Sequence, residues 1–418
     1  MTKVLTKQVQ NKMSSYFSKL SSHLYKPESR CVREMVTGII KNGTVLINQI
    51  ASGIGDRISL SKTTKRFRNH YNKVGFAQKL FKGHLNSVKG KISHGDYILV
   101  DGSDIQKKYA KMMEGLDYVK DGDKGTIGLG YWLMNMVHFG QDGEMTPLVN
   151  NIYSFDHGAK SENLEVQGAV KTVQENIEKR LKYIYDRGMD TGILRNFIIG
   201  GDEDFILRLK KTTKLLYRGK ELKVSEIAKK VPIFMELSAT KVKKNKKVKK
   251  QYSCGAVKVK YQIGRQIFTL WLVITQNKGG GYCYLLTRTG QENIIQVIKE
   301  TFKAYGFRWK IEEYHRHIKD SYKLEDIQVK TFEGLQSMLA ILTITMAILY
   351  RELASIHIRL ILESGVKTLN KEKIDQLYNF VYYKISKILK VLLAHVKPKA
   401  FLPDITISSN QLQLKLAL

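Results

Sequence analysis

Hydrophobic and polar positions follow two different periods along this chain. In residues 1–90 apolar side chains recur at helical spacing, with two short patterns at 45–54 and 60–71. From about residue 96 this spacing gives way to short continuous apolar runs of the kind that form buried strands. The pattern predicts a helical N-terminal region followed by a domain that contains a sheet.

This second domain combines strands with helices. Its predicted elements are strands at 97–100, 131–139, 145–153 and 196–200 and a helix at 160–188. The second and third strands are joined through Gln141-Asp142-Gly143, a sequence typical of a hairpin turn. Three consecutive strands, a helix and a fourth strand predict the α/β class, with a mixed sheet flanked by helices.

Residues 216–290 differ from the sequence on either side. Glycines separate strand-like stretches at 251–263, 266–276 and 282–288, which predicts a β-strand insertion into the α/β domain. Helical patterns return after it. The chain therefore divides into five predicted segments, at 1–90, 91–215, 216–290, 291–361 and 362–418. The last segment is expected to be a long helix with an irregular end.

Membrane and secretory features are weak. The longest uncharged run, 334–350, is short and contains polar residues, so it predicts a buried helix rather than a membrane span. The first residues lack the apolar core of a signal peptide. Cys31, Cys254 and Cys283 lie far apart without a CxxC pair, which indicates neither a zinc site nor a disulfide framework. We expect a cytoplasmic protein without a membrane partner.

The charge of the chain narrows the class of partner. Its 418 residues include 70 Lys and Arg against 38 Asp and Glu, for a formal net charge of +32. Such an excess argues against an enzyme for small anionic metabolites and favours a polyanion such as DNA. The Lys-rich run at 241–250 would add phosphate contacts near DNA, although such runs are most often simply solvated.

Two short helical patterns, at 45–54 and 60–71, lie in the basic N-terminal region. The second, LSKTTKRFRNHY at 60–71, carries several cations beside Phe67 and Tyr71. One interpretation is a helix-turn-helix motif whose second helix lies in a DNA groove. The other is a plain helical bundle with a basic surface, and the pattern does not separate the two.

Four side chains have a spacing that suggests chemistry. Tyr305, Arg308, Glu312 and Lys319 follow one another at intervals of three, four and seven residues, which places them on one stripe of a helix together with His315. A carboxylate there can hold Mg²⁺, and the flanking cations can bind phosphate. The alternative is a solvated helix with charge pairs one turn apart.

Two aspartates extend this hypothesis. Asp101 ends the first predicted strand and Asp202 lies just beyond the fourth. If those strands are neighbours, both carboxylates lie at one edge of the sheet, and a helix across that edge can add Glu312. Such a set suits two Mg²⁺ or Mn²⁺ ions about 3.5–4 Å apart. Taken singly, each aspartate is also a plausible turn or cap residue. Neighbouring acids are alternatives for these roles: Asp104, Asp204 and Glu313.

The block from Tyr305 to Lys319 resembles the Tyr-Arg-Glu-Lys signature of a group of bacterial insertion-sequence transposases with a DDE catalytic triad. The segment FRWKIEEYHRHIK resembles their recurring Arg-Trp-x-Ile-Glu block, and DGSDI at 101–105 resembles their first-aspartate segment. The resemblance covers about residues 30–360. That group commonly places an Asp-Arg pair directly after the second-aspartate strand, whereas this chain reads GGDED at 200–204, which leaves Asp204 open beside Asp202.

The resemblance implies a ribonuclease H-like catalytic domain with a β-strand insertion and a helical N-terminal DNA-binding region. It implies that Asp101, Asp202 and Glu312 bind two Mg²⁺ ions, with Mn²⁺ as a substitute. Water would then cleave a phosphodiester at the transposon end, and the freed 3′-hydroxyl would attack target DNA, or first the opposite strand to form a hairpin. The implied partners are double-stranded DNA, as terminal inverted repeats and target, and a second copy of the chain. The implied location is the nucleoid.

The resemblance also implies roles for residues around the triad. Arg308 and Lys319 would hold phosphates of the cleaved strand, and Tyr305 would bond a phosphate oxygen nearby. Where hairpins form, an aromatic residue of the insertion holds a flipped base. Trp271 is the candidate, although its neighbours Leu270 and Leu272 are equally consistent with a buried strand tryptophan.

Two other functions remain compatible with these residues. One is a ribonuclease H-like DNA nuclease, such as a junction resolvase, that cleaves without strand transfer. The other is a catalytically inactive DNA-binding regulator. The helical N-terminal region and the long insertion favour transposition over the first, and the presence of all three acids argues against the second.

Overall fold

The computed structural model describes residues 2–107, 109–120, 122, 125–243, 246–368 and 381–396. Its helices, in chain order, are α1 (Thr2–Ser21), α2 (Lys26–Asn42), α3 (Ile47–Ser52), α4 (Leu60–Tyr71), α5 (Phe76–Val88), α6 (Glu162–Ile177), α7 (Gly192–Gly200), α8 (Val224–Ala228), α9 (Ile294–Gly306), α10 (Trp309–Arg316), α11 (Phe332–Ala347), α12 (His357–Thr368) and α13 (Tyr382–Leu392).

Twelve strands are present in the described residues. They are β1 (Tyr97–Gln106), β2 (Asp117–Lys120), β3 (Ile127–Phe139), β4 (Met145–Tyr153), β5 (Lys182–Tyr185), β6 (Asp204–Leu209), β7 (Lys214–Tyr217), β8 (Lys220–Lys223), β9 (Met235–Lys243), β10 (Lys246–Ile263), β11 (Gln266–Asn277) and β12 (Tyr282–Arg288).

The chain folds into two compact units. The helical unit comprises the described residues within Met1–Ser87, Asp320–Lys371 and Val381–Leu418, and the sheet unit has Val88–Lys319 as its described part. Described residues after Lys319 therefore cluster with the N-terminal helices, although the sequence assigned residues up to 361 to the catalytic core. Apart from Tyr382–Leu392, most of the predicted C-terminal helix and irregular end lies outside the described residues.

The core of the helical unit forms around α11. Nearly every residue of this helix is buried, because its sequence is apolar on all sides and it packs against α2 and α4. Each fully buried Leu or Ile contributes roughly 1.5–3 kcal/mol to folding. The segment Phe332–Glu352 is long and apolar enough to cross a membrane, but 89% of its apolar window is buried within this unit. The prediction of a buried helix here is confirmed.

One mixed sheet organises the other unit. Strand β1 pairs antiparallel with β3 and parallel with β5, and β5 pairs parallel with β6. Strand β4 pairs with β3, so the central order is β4-β3-β1-β5-β6. The predicted hairpin between β3 and β4 is present, with Gly143 at φ +84° in its turn. The mixed sheet confirms the predicted α/β fold class.

Helices cover both faces of this sheet. On one face α6 contacts β3 and β4 and packs against α7. On the other face α10 contacts β1, while α9 contacts β10 and β11. This layering brings the segment that contains Arg308 and Glu312 over the end of β1.

The insertion continues the sheet. Strand β12 pairs with β6, and β11, β10, β7 and β8 follow in that order, with β9 and β7 on the same edge of β10, opposite β11. The three strand-like stretches predicted from the sequence correspond to β10, β11 and β12. The β-strand insertion is therefore joined to the central strands by main-chain hydrogen bonds.

Two predicted elements were wrong. The helix predicted to reach residue 188 ends at Ile177, where Glu178 takes a left-handed conformation, and the next apolar residues form β5. The predicted strand at 196–200 belongs to α7, which Thr191 caps by accepting a hydrogen bond from the Leu194 backbone N–H. A short apolar run suits a buried helix or a strand equally well, so periodicity alone could not decide.

Candidate active site

Asp101 and Asp186 lie side by side at two neighbouring inner strands of the sheet. Asp101 is on β1, and Asp186 follows the last residue of β5 directly. The two strands are parallel and in register, with Val100 beside Tyr185, so the next residue of each strand is an aspartate. Parallel strands in register point such residues to the same face.

Asp186 is held by three neighbours. The Tyr305 hydroxyl donates to Asp186 Oδ1 at 2.9 Å. Arg308 Nε and an Arg208 nitrogen lie 3.7 and 3.5 Å from the same oxygen. Burial opposes ionisation of Asp186, but the charge of Arg308 and hydrogen bonds from the Arg187 N–H and Tyr305 outweigh it and lower its pKa.

Arg308 and Glu312 reach the same place from a bent helical segment. Helix α9 ends at Gly306 and α10 begins at Trp309, so the predicted single continuous helix is wrong. Between them the backbone N–H of Arg308 donates to the Tyr305 carbonyl, three residues back. Phe307 and Arg308 keep right-handed helical backbone angles through this tight turn, and Tyr305, Arg308 and Glu312 still converge.

Arg308 is the centre of the cluster. Its guanidinium pairs with Glu312, lies 3.6 Å from Asp101 Oδ2, and contacts Asp186 as described. Burial alone would lower the pKa of Arg308, but the three carboxylates and the Tyr305 hydroxyl hold it above its ordinary value. One guanidinium thus contacts three acids from two strands and a helix, and Asp186 has Arg208 as a second cationic partner.

Asp101 is the most perturbed of these acids. Burial raises its pKa to about 7, and the neighbouring charges of Asp186 and Glu312 act in the same direction. Arg308 opposes the shift without cancelling it. A carboxylate with such a pKa gains from a further cation, because a cation stabilises the charged form.

Lys319 and His315 lie beside this cluster. Lys319 Nζ is 3.5 Å from Oδ1 of Asp104, which lies three residues after Asp101 on β1. His315 Nε2 is buried without a hydrogen-bond partner in the described protein. Burial, together with the charges of Lys319 and Arg308, lowers the pKa of His315 to about 3, so its imidazole is neutral at physiological pH.

The structure does not bring Asp202 to this cluster. Asp202 is exposed in the turn between α7 and β6. The alternative, Asp204, begins β6 and is in register with Lys182 at the start of β5, four residues before Asp186. At about 3.3 Å per residue this is roughly 13 Å along the strands. Both acids are at the opposite end of the parallel strands, so Asp186 replaces Asp202 in the proposals below.

A signal for Asp186 was present in the sequence. Tyr185-Asp186-Arg187 is an Asp-Arg pair directly after a short apolar stretch, which is the pattern expected of the second aspartate. The helix predicted over 160–188 includes this stretch and so conceals the strand that precedes Asp186. Arg208, which lies next to Asp186, gave no comparable signal, since only the β5–β6 pairing brings it there.

Glu313 and Trp271 are also outside the cluster. Glu313 pairs with Arg316 at 2.8 Å. Trp271 is on β11, half-buried, with Lys258 Nζ 5.2 Å from its ring centroid. Three strand spacings separate β11 from β5, which is about 14 Å. The strand register places Trp271 on the same face of the sheet as the acid cluster, several strands away from it.

The three acids offer the oxygen ligands that Mg²⁺ and Mn²⁺ prefer. As they stand, no group of three or more His, Cys, Asp and Glu side chains within the described ranges forms a ready metal site. The reason is visible in the cluster, since Arg308 lies between Asp101, Asp186 and Glu312. The carboxylates fit a divalent ion chemically once the guanidinium turns away.

Comparison with known protein families identifies this arrangement. The family model described as "Transposase DDE domain" matches residues 93–348, which includes β1, β5 and α10. A comparison with curated proteins finds no significant match. The family is built on a ribonuclease H-like fold, implies DNA binding, and in general uses divalent metal ions. Because the match covers more than half of the sequence, the chain belongs to the family of proteins with a transposase DDE domain.

Proposed function

We propose that this protein is the transposase of an insertion sequence, of the group with the Tyr-Arg-Glu-Lys signature. It would bind the ends of the element and catalyse DNA cleavage and strand transfer. The observation that supports this most is the convergence of Asp101, Asp186 and Glu312 on one guanidinium. Three clustered carboxylates repel one another, so folding stability alone does not explain why they gather around one cation.

We propose Asp101, Asp186 and Glu312 as ligands of two Mg²⁺ ions, for which Mn²⁺ can substitute. When bound, such ions supply an activated nucleophile and stabilise the leaving oxygen in an in-line displacement. The protein supplies the carboxylates in fixed positions, since two of them come from strands that are paired in register. Their burial also strengthens the attraction for a divalent cation.

Arg308 would exchange partners during this reaction. In the structure it pairs with the three acids, and in the proposed complex it binds a phosphate of the cleaved strand. A planar guanidinium suits both partners, because carboxylate and phosphate each accept two parallel hydrogen bonds. DNA binding would therefore free the carboxylates for metal, and metal would replace the positive charge that Arg308 withdraws.

Three further residues would contact the DNA backbone near the cleavage point. Tyr305 and Arg208 both bond Asp186 and lie within reach of a phosphate bound there. Lys319, 3.5 Å from Asp104, would add a further positive charge for a phosphate. We propose Trp271 as a DNA contact farther along the same face, where its exposed part and Lys258 form a stacking surface.

The helical unit would bind the element's end. On α4, Lys62, Lys65 and Arg68 are exposed, whereas Phe67 is buried. Arg66 pairs with two acids of the same unit and is used structurally. The exposed cations are spaced for phosphate contacts along one helix face, and we propose α4 as the helix that lies in a groove. Assembly as a dimer on paired ends, in the cytoplasm, completes the proposal.

The test is a strand-transfer assay with full-length protein, Mg²⁺ and DNA that carries the cognate terminal repeats. Joined products are expected. Cleavage without joining would favour the nuclease alternative, and binding without cleavage would favour an inactive regulator. The repeats can be read from inverted sequences that flank the gene.

A matched pair of variants assigns the chemistry. Glu312→Gln should abolish cleavage while end binding in the absence of metal persists. Glu313→Gln, at the adjacent position and paired with Arg316 on the same helix, should cleave normally. Equal activity of the two variants would contradict the role of Glu312.

A further inference from the structure

A buried polar row crosses the sheet from Asp101 to the helix of Glu312. Asp101 on β1 lies opposite Asn135 on β3, and Asn135 lies opposite Asn150 on β4. Directly opposed residues of antiparallel strands share a face of the sheet. Asn150 Nδ2 donates to the Tyr314 hydroxyl at 3.5 Å, and Tyr314 is two residues after Glu312 on α10.

Asn135 is unusual within this row. Asn135 and Asn150 are both 0% exposed. Neither Nδ2 nor Oδ1 of Asn135 has a hydrogen-bond partner among the described residues, and Asn150 Oδ1 also has none. Buried carboxamides are nearly always bonded, because their removal from water is otherwise unfavourable. A leucine of similar size would serve packing better, so stability does not explain this side chain.

The missing partner is within reach of a small rotation. The β-carbons of directly opposed residues are about 4.5–5.5 Å apart, which allows the Asn135 amide to reach the Asp101 carboxylate. In this structure that carboxylate is turned toward Arg308, with Oδ2 3.6 Å from a guanidinium nitrogen. Once Arg308 leaves, the carboxylate is free to accept a hydrogen bond on the side of β3.

We propose that Asn135 is a positioning residue of the metal site, whose amide N–H donates to Asp101 when Asp101 holds a divalent cation. This rests on the proposed function. A hydrogen bond of this kind fixes which carboxylate oxygen faces the ion, and the loss of such outer contacts typically weakens metal binding about 10–100-fold. Through Asn150 and Tyr314 the same row would also fix the distance between Asp101 and the helix of Glu312.

Asn135→Leu tests the proposal, since it keeps the volume and removes the carboxamide. The readout is Mn²⁺ binding, followed by electron paramagnetic resonance, in the full-length protein bound to end DNA. We expect the dissociation constant for Mn²⁺ to rise about 10–100-fold. The Mg²⁺ concentration for half-maximal cleavage should rise by the same factor, and the thermal unfolding midpoint should not fall.

Thr146→Val is the matched control. Thr146 is on β4, 0% exposed, and its Oγ1 is also unpartnered within the described protein. It lies opposite His138, three residues beyond Asn135 along β3 and away from the acids. Its Mn²⁺ binding should equal that of the unmodified protein. The same weakening in Thr146→Val would show a general packing effect and would overturn the proposal.

Asn135→Ala keeps the test decisive if the leucine variant does not fold. The alanine methyl group has no hydrogen-bond donor, so the same weakening of Mn²⁺ binding is expected. Unshifted Mn²⁺ binding in a folded Asn135 variant would refute the positioning role alone, provided that the unmodified protein binds Mn²⁺ and cleaves. Failure of the unmodified protein to do either would instead refute the proposed function.

Discussion

Acids lie at both ends of the region where β1, β5 and β6 pair in parallel, and the two ends differ in how those acids are neutralised. At the amino-terminal end each acid has its own partner. Asp96 bonds His138, Glu203 accepts from the Leu181 N–H, and Asp204 pairs with Arg180. At the carboxyl-terminal end Asp101, Asp186 and Glu312 share Arg308.

The comparison separates structural acids from acids available for chemistry. At the first end the partners are main-chain groups or side chains of neighbouring strands and loops, so each bond stabilises the fold locally. At the second end the three acids share the single charge of Arg308, so they carry an excess of negative charge that a divalent cation can offset. Three acids at each end thus have different roles. The difference shows in their hydrogen-bond and ion-pair partners, and not in the number of acids.

The largest expected effect distinguishes the two ends directly. Asp186→Asn should reduce cleavage by at least about 10²–10³-fold, the range seen when one electrostatic contact to a reacting centre is removed. Asp202→Asn, in the exposed turn at the other end, should cleave at the normal rate. Rates of Mg²⁺-dependent cleavage on end DNA measure both. A strong loss in Asp202→Asn would reverse our assignment.

Removal of Arg308, the cation that the three acids share, should give the second-largest effect, a loss of DNA affinity. Arg308→Ala should weaken the complex with cleaved ends, and the slope of log affinity against log salt should fall by about 0.9, as for one lost phosphate contact. Binding measured from low to high salt provides the slope. An unchanged slope would mean that Arg308 serves the acids alone.

A structural acid should affect stability instead of cleavage. Burial opposes ionisation of Asp96, but hydrogen bonds from His138 and from the Ser93 and Gln141 N–H groups outweigh it and lower its pKa. Asp96→Asn should therefore cost about 1.5–3 kcal/mol of unfolding free energy near neutral pH. Denaturant unfolding measures this, with cleavage per folded molecule unchanged.

The same shift fixes the pH dependence. Because the folded-state pKa of Asp96 is lowered, its stabilising contribution is present above the unfolded-state value of 3.8 and is lost as the pH falls through the folded value. The unmodified protein should thus lose more stability than Asp96→Asn between pH 5 and about 2. Parallel curves for the two proteins would show that Asp96 is not the group responsible.

The smallest effect is expected for a surface pair at the amino-terminal end. Arg180 is about half exposed and lies 2.9 Å from Asp204. Exposed pairs of this kind contribute roughly 0–1 kcal/mol. Arg180→Ala should change unfolding free energy within that range and leave cleavage unaffected. A large loss of cleavage would place catalytic acids at this end after all.

The sequence predicted much of this arrangement for physical reasons. The start of β1, the β3–β4 hairpin and the buried helix α11 could be predicted because period and turn residues agree there, although β1 continues past Asp101 to Gln106. Arg308 and Glu312 were readable because short-range spacing survives even a bent helix.

Other parts could not be read in this way. Residues 182–185 and 196–200 are short apolar runs that suit a strand or a buried helix equally, and their assignments determined the choice of Asp202. Arg208 and Asn135 join the site only through strand pairing over long sequence distances. Pairing partners of this kind are not encoded in local periodicity.

The central claim is that Asp101, Asp186 and Glu312 share divalent cations beside a DNA backbone. The most direct test is the anomalous scattering of Mn²⁺ in crystals of the full-length protein bound to end DNA. We predict peaks within about 2–2.6 Å of carboxylate oxygens of all three residues, with Arg308 turned toward a phosphate. Peaks at Asp202 or Asp204, or none that joins Asp101 to Asp186, would contradict the account.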